Sequence, residues 1–267
     1  MEPTILRPQE QRMPDSYREK IYTDYGTKFQ KAENDNSIAR MKRWGRSYLW
    51  HFRSWLPDSK QSAIVDLACG FGKFLQLLKD AGYVNVTGVD LSHDQVELAR
   101  KVQDNVIEMD ILEFLAEHKE TFDLIVAMDI IEHFKKDEVL NVLSRLNQSL
   151  KNGGRIILQT PNAESPWSGH YRYGDFTHEI SFTPSLLRHL LELNGFSEIE
   201  FREFSPVPFG NGPVSSIRYV LWRMVAMILW LWNMIELGNA GSGIYTRSMV
   251  CRAKKIDSTN TSSRNLE

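Results

Sequence analysis

The 267-residue sequence has few cysteines, little net charge and no long uninterrupted run of apolar residues. Two cysteines, Cys69 and Cys251, are too few for a disulfide framework and fit a reducing cytosol. The net charge of −2 argues against the basic surface that nucleic-acid binding needs, so we predict no nucleic-acid partner. Residues 1–16 place prolines among charges and lack the apolar core of a signal peptide, which predicts a protein that is not exported.

The length suffices for one full core and an appended element. Between residues 63 and 204, short apolar runs alternate with amphipathic helical patterns. This alternation predicts an α/β fold, with a doubly wound, mostly parallel seven-stranded sheet and helices on both faces. The predicted strands are 63–67, 84–89, 106–109, 122–128, 155–160, 199–204 and 244–253. The predicted helices of the core are 73–81, 93–103, 111–118, 136–150 and 184–193, and Asn152-Gly153-Gly154 is read as a helix stop.

The predicted division of the chain has six segments. They are a flexible arm (1–16), an N-terminal helical cap (17–60), a ligand-binding core (61–204), an apolar helical insertion (205–242), a last strand (243–255) and a disordered tail (256–267).

Residues 64–74, IVDLACGFGKF, carry the strongest motif. A buried strand ends near Asp66, and a turn with Gly70 and Gly72 leads into a helix. Glycines let the backbone approach a ligand, and the helix start offers free N–H groups. A dinucleotide fingerprint needs a third glycine where Leu75 stands, and Asp66 would repel a pyrophosphate, which argues against a nicotinamide-dependent oxidoreductase.

This stretch resembles motif I of the class I S-adenosylmethionine-dependent methyltransferases, with Ala68 where the first glycine usually stands. The resemblance implies that S-adenosylmethionine is the cofactor and that residues at successive strand ends bind it. Those residues are Asp66, Ala68, Gly70, Gly72, Asp90, Leu91, Asp110, Ile111 and Asp129.

Two of these acids have specific expected roles. Asp90 is predicted to accept the ribose hydroxyls. Asp110 matches the acid that meets the adenine amino group in the family, where the following N–H, here that of Ile111, reaches the ring. The alternative for both acids is that each caps the helix that follows it.

The run from Asp129 to His133, DIIEH, resembles motif IV, which lies beside the methyl donor and the substrate in this class. If the run is helical, Asp129, Glu132 and His133 share one face and suit a Mg²⁺ or Mn²⁺ ion. His178, in a long loop predicted over 160–183, is a candidate general base or a further metal ligand. Glu132, His133 and His178 are therefore the predicted catalytic residues and metal ligands. The alternative is that these side chains only brace the loop.

These features together resemble the methyltransferases of bacterial cell-surface polysaccharide (O-antigen type) biosynthesis. The resemblance implies O-methylation of a sugar hydroxyl on a lipid-linked or nucleotide-linked glycan. A quinone or other small-molecule O-methyltransferase is the first alternative. A non-catalytic protein that binds the cofactor and acts as a partner is another.

The segment 217–237 is strongly apolar, although its longest uninterrupted run, 224–232, is short for a membrane span. It contains three charged residues and three tryptophans. These are Arg218, Arg223, Glu236, Trp222, Trp230 and Trp232. We predict a helix that packs on the sheet, pairs with a second subunit as a homodimer, or makes peripheral contact with the inner face of the membrane. The basic segment that precedes the core suits an anionic substrate or a membrane surface, or is merely solvated.

Overall fold

The structure is a computed structural model that describes Ile21 and residues 38–209 and 211–257. The predicted arm (1–16), most of the predicted cap before residue 38 and the tail after residue 257 lie outside these residues. The helices are α1 (Ile38–Phe52), α2 (Lys73–Asp80), α3 (His93–Ala99), α4 (Ile111–Glu117), α5 (Lys136–Ser149), α6 (Ser168–Gly174), α7 (Pro184–Leu193) and α8 (Pro213–Leu237). The strands are β1 (Ile64–Leu67), β2 (Val86–Asp90), β3 (Val106–Glu108), β4 (Phe122–Met128), β5 (Leu150–Pro161), β6 (Phe196–Glu203) and β7 (Ser248–Lys255).

The seven strands form one sheet in the order β3-β2-β1-β4-β5-β7-β6, which confirms the predicted fold class. The first five strands are parallel, and β7 runs antiparallel to both β5 and β6. The strand order reverses between β1 and β4, because β2 and β3 lie to one side and β5 to the other. Ligands of doubly wound sheets bind at such a reversal, beyond the carboxyl ends of the strands.

Apolar side chains cover both faces of the sheet because successive strand residues point in opposite directions. In β1, Ile64 packs toward α1 and α2, whereas Val65 and Leu67 pack toward α4, α5 and α7. All four β1 residues are buried. A strand buried on both faces cannot be displaced without opening both cores, so β1 fixes the position of the turn that follows it.

Helix α1 packs against α2 through residues spaced at helical intervals, among them Met41, Tyr48 and Phe52. Gly45 brings the two helices close together, because a Cβ built at this position would lie 3.5 Å from Leu77 Cβ. Helix α1 therefore packs on the first helix of the core.

Three segments differ from the predictions. Strand β5 starts at Leu150, so the Asn152-Gly153-Gly154 segment lies inside an irregular strand, with a register shift opposite β4, and is not a helix stop. The predicted loop 160–183 contains α6, which buries no residue and therefore leaves no periodic apolar stripe in the sequence. Helix α8 spans 25 residues, so by length and composition it could cross a membrane, although its uninterrupted apolar run is short.

The tight contact at Gly88 in β2 yields a stability prediction. A Cβ at this buried position would lie 2.8 Å from Leu75 Cδ1 and 3.1 Å from Cys69 Sγ. Gly88→Ala should therefore lower the free energy of unfolding by about 1–3 kcal/mol through overpacking, as measured by urea denaturation. Gly169→Ala in α6 is the matched control, since its Cβ would meet only Tyr173 at 4.0 Å. Equal midpoints for the two variants would contradict the proposed packing.

Candidate active site

The turn after β1 has an unusual backbone. Ala68, Gly70 and Gly72 all have positive φ angles, of 54°, 52° and 88°. Glycine reaches this left-handed region without strain, whereas a residue with a Cβ pays roughly 1–2 kcal/mol for it. The conformation explains why glycine is the residue usually found where Ala68 stands. It also folds the chain sharply enough for α2 to begin directly over the end of β1.

Asp90, at the end of β2, is held by two backbone donors. Its Oδ2 accepts a hydrogen bond from the Gly70 N–H at 2.8 Å, and its Oδ1 accepts one from the Ser92 N–H at 2.9 Å. Burial raises the pKa of Asp90, and these hydrogen bonds act in the opposite direction. The carboxylate thus links the β1 turn to the β2 end, where the predicted ribose contact would be made.

Asp66 carries a buried carboxyl oxygen without a hydrogen-bond partner in the described part of the chain. The residue is 2% exposed, and its Oδ2 has no hydrogen-bond partner among the described residues. Burial and the nearby charge of Asp90 raise the pKa of Asp66 well above its ordinary value. A buried carboxyl without a partner is destabilising unless a ligand completes it. An ammonium group, such as that of S-adenosylmethionine, fits this orphaned acceptor.

The residues predicted to meet the adenine lie next to the ends of β2 and β3. Asp110 caps α4, because its Oδ1 accepts hydrogen bonds from the N–H groups of Leu112 at 2.8 Å and Glu113 at 3.2 Å. The capping role that the sequence left open is therefore observed, and the adenine contact stays a prediction. Leu91 is 57% exposed whereas Ile111 is buried, so of the two only Leu91 has a side chain available to a ligand.

Asp129 does not share a helical face with Glu132 and His133, so that part of the motif IV prediction is wrong. Its φ is 51°, and only residues Ile131–His133 form a short 3-10 helix. The Asp129 carboxylate instead accepts a hydrogen bond from Gln159 Nε2 at 2.7 Å. Asp129 N–H also donates to the Gln159 carbonyl at 3.0 Å, so Gln159 of β5 holds both the side chain and the backbone of Asp129.

Glu132 is almost fully buried, with 1% exposure. Thr160 Oγ1 donates to its Oε2 at 3.0 Å, and its Oε1 has no hydrogen-bond partner among the described residues. Burial, with the nearby charges of Asp129 and Asp175, raises the pKa of Glu132 well above its ordinary value. Glu132 is thus a second orphaned buried carboxyl, separate from Asp66.

The structure brings Glu132, His133 and His178 together. One ligand atom from each lies within 4.8 Å of the others, and the two imidazole rings meet edge to face at 4.8 Å between centroids. The backbone carbonyl of Glu132 accepts hydrogen bonds from the N–H groups of Glu179 at 2.8 Å and Ile180 at 3.2 Å. These bonds fasten the segment after β5 to the turn after β4.

A relay of hydrogen bonds orients His133. Thr177 Oγ1 donates to Asp175 Oδ1 at 2.6 Å and also lies 2.8 Å from His133 Nδ1. Because the single hydroxyl proton points to Asp175, the hydroxyl oxygen accepts from His133 Nδ1–H. The lone pair of His133 is then on Nε2, where a proton or a cation would bind.

His178 is oriented by a backbone carbonyl. Its Nδ1 lies 2.7 Å from the Tyr171 carbonyl, which only accepts, so its lone pair is also on Nε2. The Arg172 guanidinium bonds the carbonyls of His178 and Glu179 and fixes this stretch. Neither Thr177 nor Asp175 is among the predicted functional residues. The only signal in the sequence was that both residues lie in the long loop, within three positions of His178.

A cavity of about 810 Å³ lies at the β6 edge of the sheet, under α8. Its lining includes Trp50, Arg188, Arg202, Glu203 and Tyr219. None of the predicted site residues lines this cavity. The two orphaned carboxyls and the histidine pair lie elsewhere, at the carboxyl ends of β1 and β4 and in the segment after β5.

The strand order, the glycine turn and the acids at successive strand ends define a class I S-adenosylmethionine-dependent methyltransferase. The chain belongs to the methyltransferase-domain family, since a family model described as "Methyltransferase domain" matches residues 41–200. The orphaned Asp66 oxygen and the open glycine turn fit the cofactor that this enzyme class uses.

Known proteins agree with this assignment. The chain is 28% identical over 111 residues to a ubiquinone biosynthesis O-methyltransferase of Hydrogenovibrio crunogenus, covering 39% of this chain and 44% of that protein. It is 29% identical over 157 residues to one from Ruegeria sp., covering 53% and 62%. The chain thus spans about half the length of the curated relatives it matches. A methyltransferase structure from Archaeoglobus fulgidus shares the fold, with a TM-score of 0.58, 21% identity and coverage of 79% of this chain and 94% of that one.

The raised pKa of Asp66 predicts a pH-dependent affinity for S-adenosylhomocysteine. The ligand ammonium favours the ionised carboxyl, whose pKa in the free protein is raised by burial and by Asp90. Affinity should therefore rise with pH across the range in which the protein is folded, as Asp66 loses its proton in the free protein. Asp66→Asn should bind roughly 10–100-fold more weakly near pH 7, with little dependence on pH. Isothermal titration calorimetry measures both effects.

Asp94→Asn, an exposed change of the same kind in α3, is the control and should keep the wild-type profile. If the wild-type affinity does not change across this pH range, or if Asp66→Asn leaves the affinity unchanged, Asp66 does not bind the ligand ammonium.

Proposed function

We propose that this enzyme transfers the methyl group of S-adenosylmethionine to a hydroxyl oxygen, and that Glu132, His133 and His178 act on that hydroxyl. The single observation that carries the proposal is the convergence of these three side chains, from the turn after β4 and the segment after β5. The relatives named above are O-methyltransferases, which supports oxygen as the acceptor atom.

The bound cofactor supplies an electrophilic methyl group on a good leaving group. The remaining tasks belong to the chain, which must align the acceptor and remove its proton. His133 and His178 each carry a lone pair on Nε2, so either accepts a proton. Asp175 and Thr177 hold His133 in this tautomer, and Tyr171 does so for His178.

We propose that the same three residues also suit a divalent cation. The unsatisfied Oε1 of Glu132 and the two Nε2 lone pairs supply one oxygen and two nitrogen donors. Asp129, held by Gln159, is not part of this cluster. The donor set therefore favours Mn²⁺ over Mg²⁺, because Mg²⁺ prefers oxygen ligands throughout. Such an ion would stabilise an alkoxide.

Two classes of acceptor follow from the sequence and the comparisons. The polysaccharide resemblance suggests a sugar hydroxyl on a lipid-linked glycan. The named relatives suggest a phenol of the kind found in quinone precursors. The comparisons favour the phenol, and the glycan rests on the sequence resemblance alone.

Substitution of the cluster tests the catalytic proposal. Glu132→Ala, His133→Ala and His178→Ala should each lower turnover by about 10²–10⁴-fold, the range of general acid–base catalysis. Affinity for S-adenosylhomocysteine should change little, because the cofactor turn is formed by other residues.

Thr177→Val should lower turnover less than the alanine variants do and should shift the pH profile of turnover, because Thr177 only positions His133. His189→Ala, an exposed histidine in α7, is the matched control. Near-normal turnover in all three alanine variants would refute the proposal, and activity that survives chelation would leave the histidines as bases without a metal.

Methyl transfer from labelled S-adenosylmethionine identifies the acceptor class. A catechol and a lipid-linked glycan extract should be offered separately, with an aliphatic amine as a control. We expect label in the catechol, because its hydroxyl is the more acidic and the named relatives support it. Label in the glycan fraction alone would favour the polysaccharide alternative, and label in the amine alone would contradict oxygen as the acceptor.

A further inference from the structure

Helix α8 buries almost none of its apolar surface. Of its 25 residues only Ala226 is buried, and fourteen large apolar side chains are more than a third exposed. The most exposed include Ile217, Met227, Trp232 and Ile235, at 60%, 65%, 64% and 78%. A contiguous apolar patch of this size marks an interaction surface.

One narrow stripe of α8 contacts the part of the chain that the structure describes. Apart from Ser216, the less exposed positions of α8 repeat at intervals of four and three residues, which places them on one side of the helix. They are Ser215, Tyr219, Trp222, Ala226, Leu229 and Asn233.

The stripe is anchored along most of the helix. Ser215 Oγ donates to the Val207 carbonyl at 2.7 Å, and Trp222 Nε1 donates to Glu203 Oε2 at 3.3 Å. Asn233 forms a side-chain hydrogen bond with Tyr245. These contacts run over about 27 Å of helix. Helix α8 therefore lies along the body, and spanning a bilayer would break them.

The exposed apolar arc of α8 is wider than a single protein partner would cover. At about 100° per residue, the exposed apolar side chains cover an arc of about 240°. A helix packed on a single neighbour buries a stripe of roughly 100°. Trp230 and Trp232 also lie on this exposed side, and tryptophan is typical of the boundary between headgroups and acyl chains.

Basic residues flank the start of α8. Arg43 and Arg46 are exposed and share one face of α1 with Ser47 and Trp50, at helical spacing. That face adjoins α8, since Trp50 meets Tyr219 edge to face at 6.5 Å and Ser47 bonds Asn211. Arginines beside an apolar helix complement the anionic headgroups of a lipid surface.

We propose that α8 lies in the plane of a lipid bilayer surface, with its exposed apolar side among the acyl chains and the α1 arginines against anionic headgroups. The inference is independent of the acceptor and of the catalytic cluster. It places a membrane surface beside the cavity that α8 covers.

Vesicle flotation tests the proposal. The wild-type protein should float with vesicles of phosphatidylcholine and phosphatidylglycerol, and less with phosphatidylcholine alone. Ile228→Glu/Ile235→Glu should bind at least about tenfold more weakly, because the charges sit on the apolar side. Val84→Glu/Leu193→Glu makes the same charge change at exposed apolar sites elsewhere and should float as the wild type does. The Arg43→Glu/Arg46→Glu variant should still float with vesicles but should lose its preference for anionic lipid.

Folding of each variant is checked by its affinity for S-adenosylhomocysteine. As a second measurement, brominated lipids should quench tryptophan emission in the wild type, and Trp230→Phe/Trp232→Phe should lose most of that quenching. A wild-type protein that stays in the aqueous fraction would overturn the proposal, as would equal flotation of the α8 and control variants. A dimer that only the α8 variant dissociates, without vesicle binding, would assign the surface to a second copy of the chain.

Discussion

The parallel pairing of β1 with β2 on one side and β4 on the other is the constraint on which the whole site depends. It brings the carboxyl ends of three strands to one edge, so Asp66, Asp90 and the turn after β4 become neighbours although they are far apart in sequence. Burial of β1 on both faces makes this arrangement rigid. The chain can therefore keep two unsatisfied carboxyls, Asp66 and Glu132, inside a stable sheet.

Asp66 and Glu132 are alike in burial and electrostatics but lie in different surroundings. Each is desolvated, and each has a pKa raised by burial and by a neighbouring acid. Asp66 sits beside the glycine turn, whereas Glu132 sits beside two imidazoles. Fixed, incompletely satisfied groups of this kind are preorganised for a ligand, because no bond within the protein must break first. The strain at Ala68 and Asp129, both left-handed, lies beside the same two groups.

The sequence was sufficient for the parts of the fold that follow from periodicity and from strand ends. The α/β alternation and the Gly-x-Gly turn needed only local pattern and the parallel-sheet rule, whereas the meeting of Glu132, His133 and His178 was expected from that rule together with the resemblance to motif IV. The relay from Asp175 through Thr177 to His133 depends on side-chain geometry in an irregular loop, which has no periodic signal. Asp129 was misplaced for the same reason, since one left-handed residue and a bond to Gln159 removed it from the expected helical face. The body-facing stripe of α8 was hidden because the whole helix is apolar.

The position of α8 in the topology has an evolutionary consequence. Strands β6 and β7 are adjacent and antiparallel, and such strands can be joined by a turn of two residues. The connection is therefore a permissive insertion point. Its last part, where the carbonyls of Ile244 and Thr246 accept hydrogen bonds from Asn162, braces the segment after β5. A lineage of this fold could gain, lengthen or discard such a helix while its catalytic chemistry stayed intact, so location in the cell and reaction type can diverge separately.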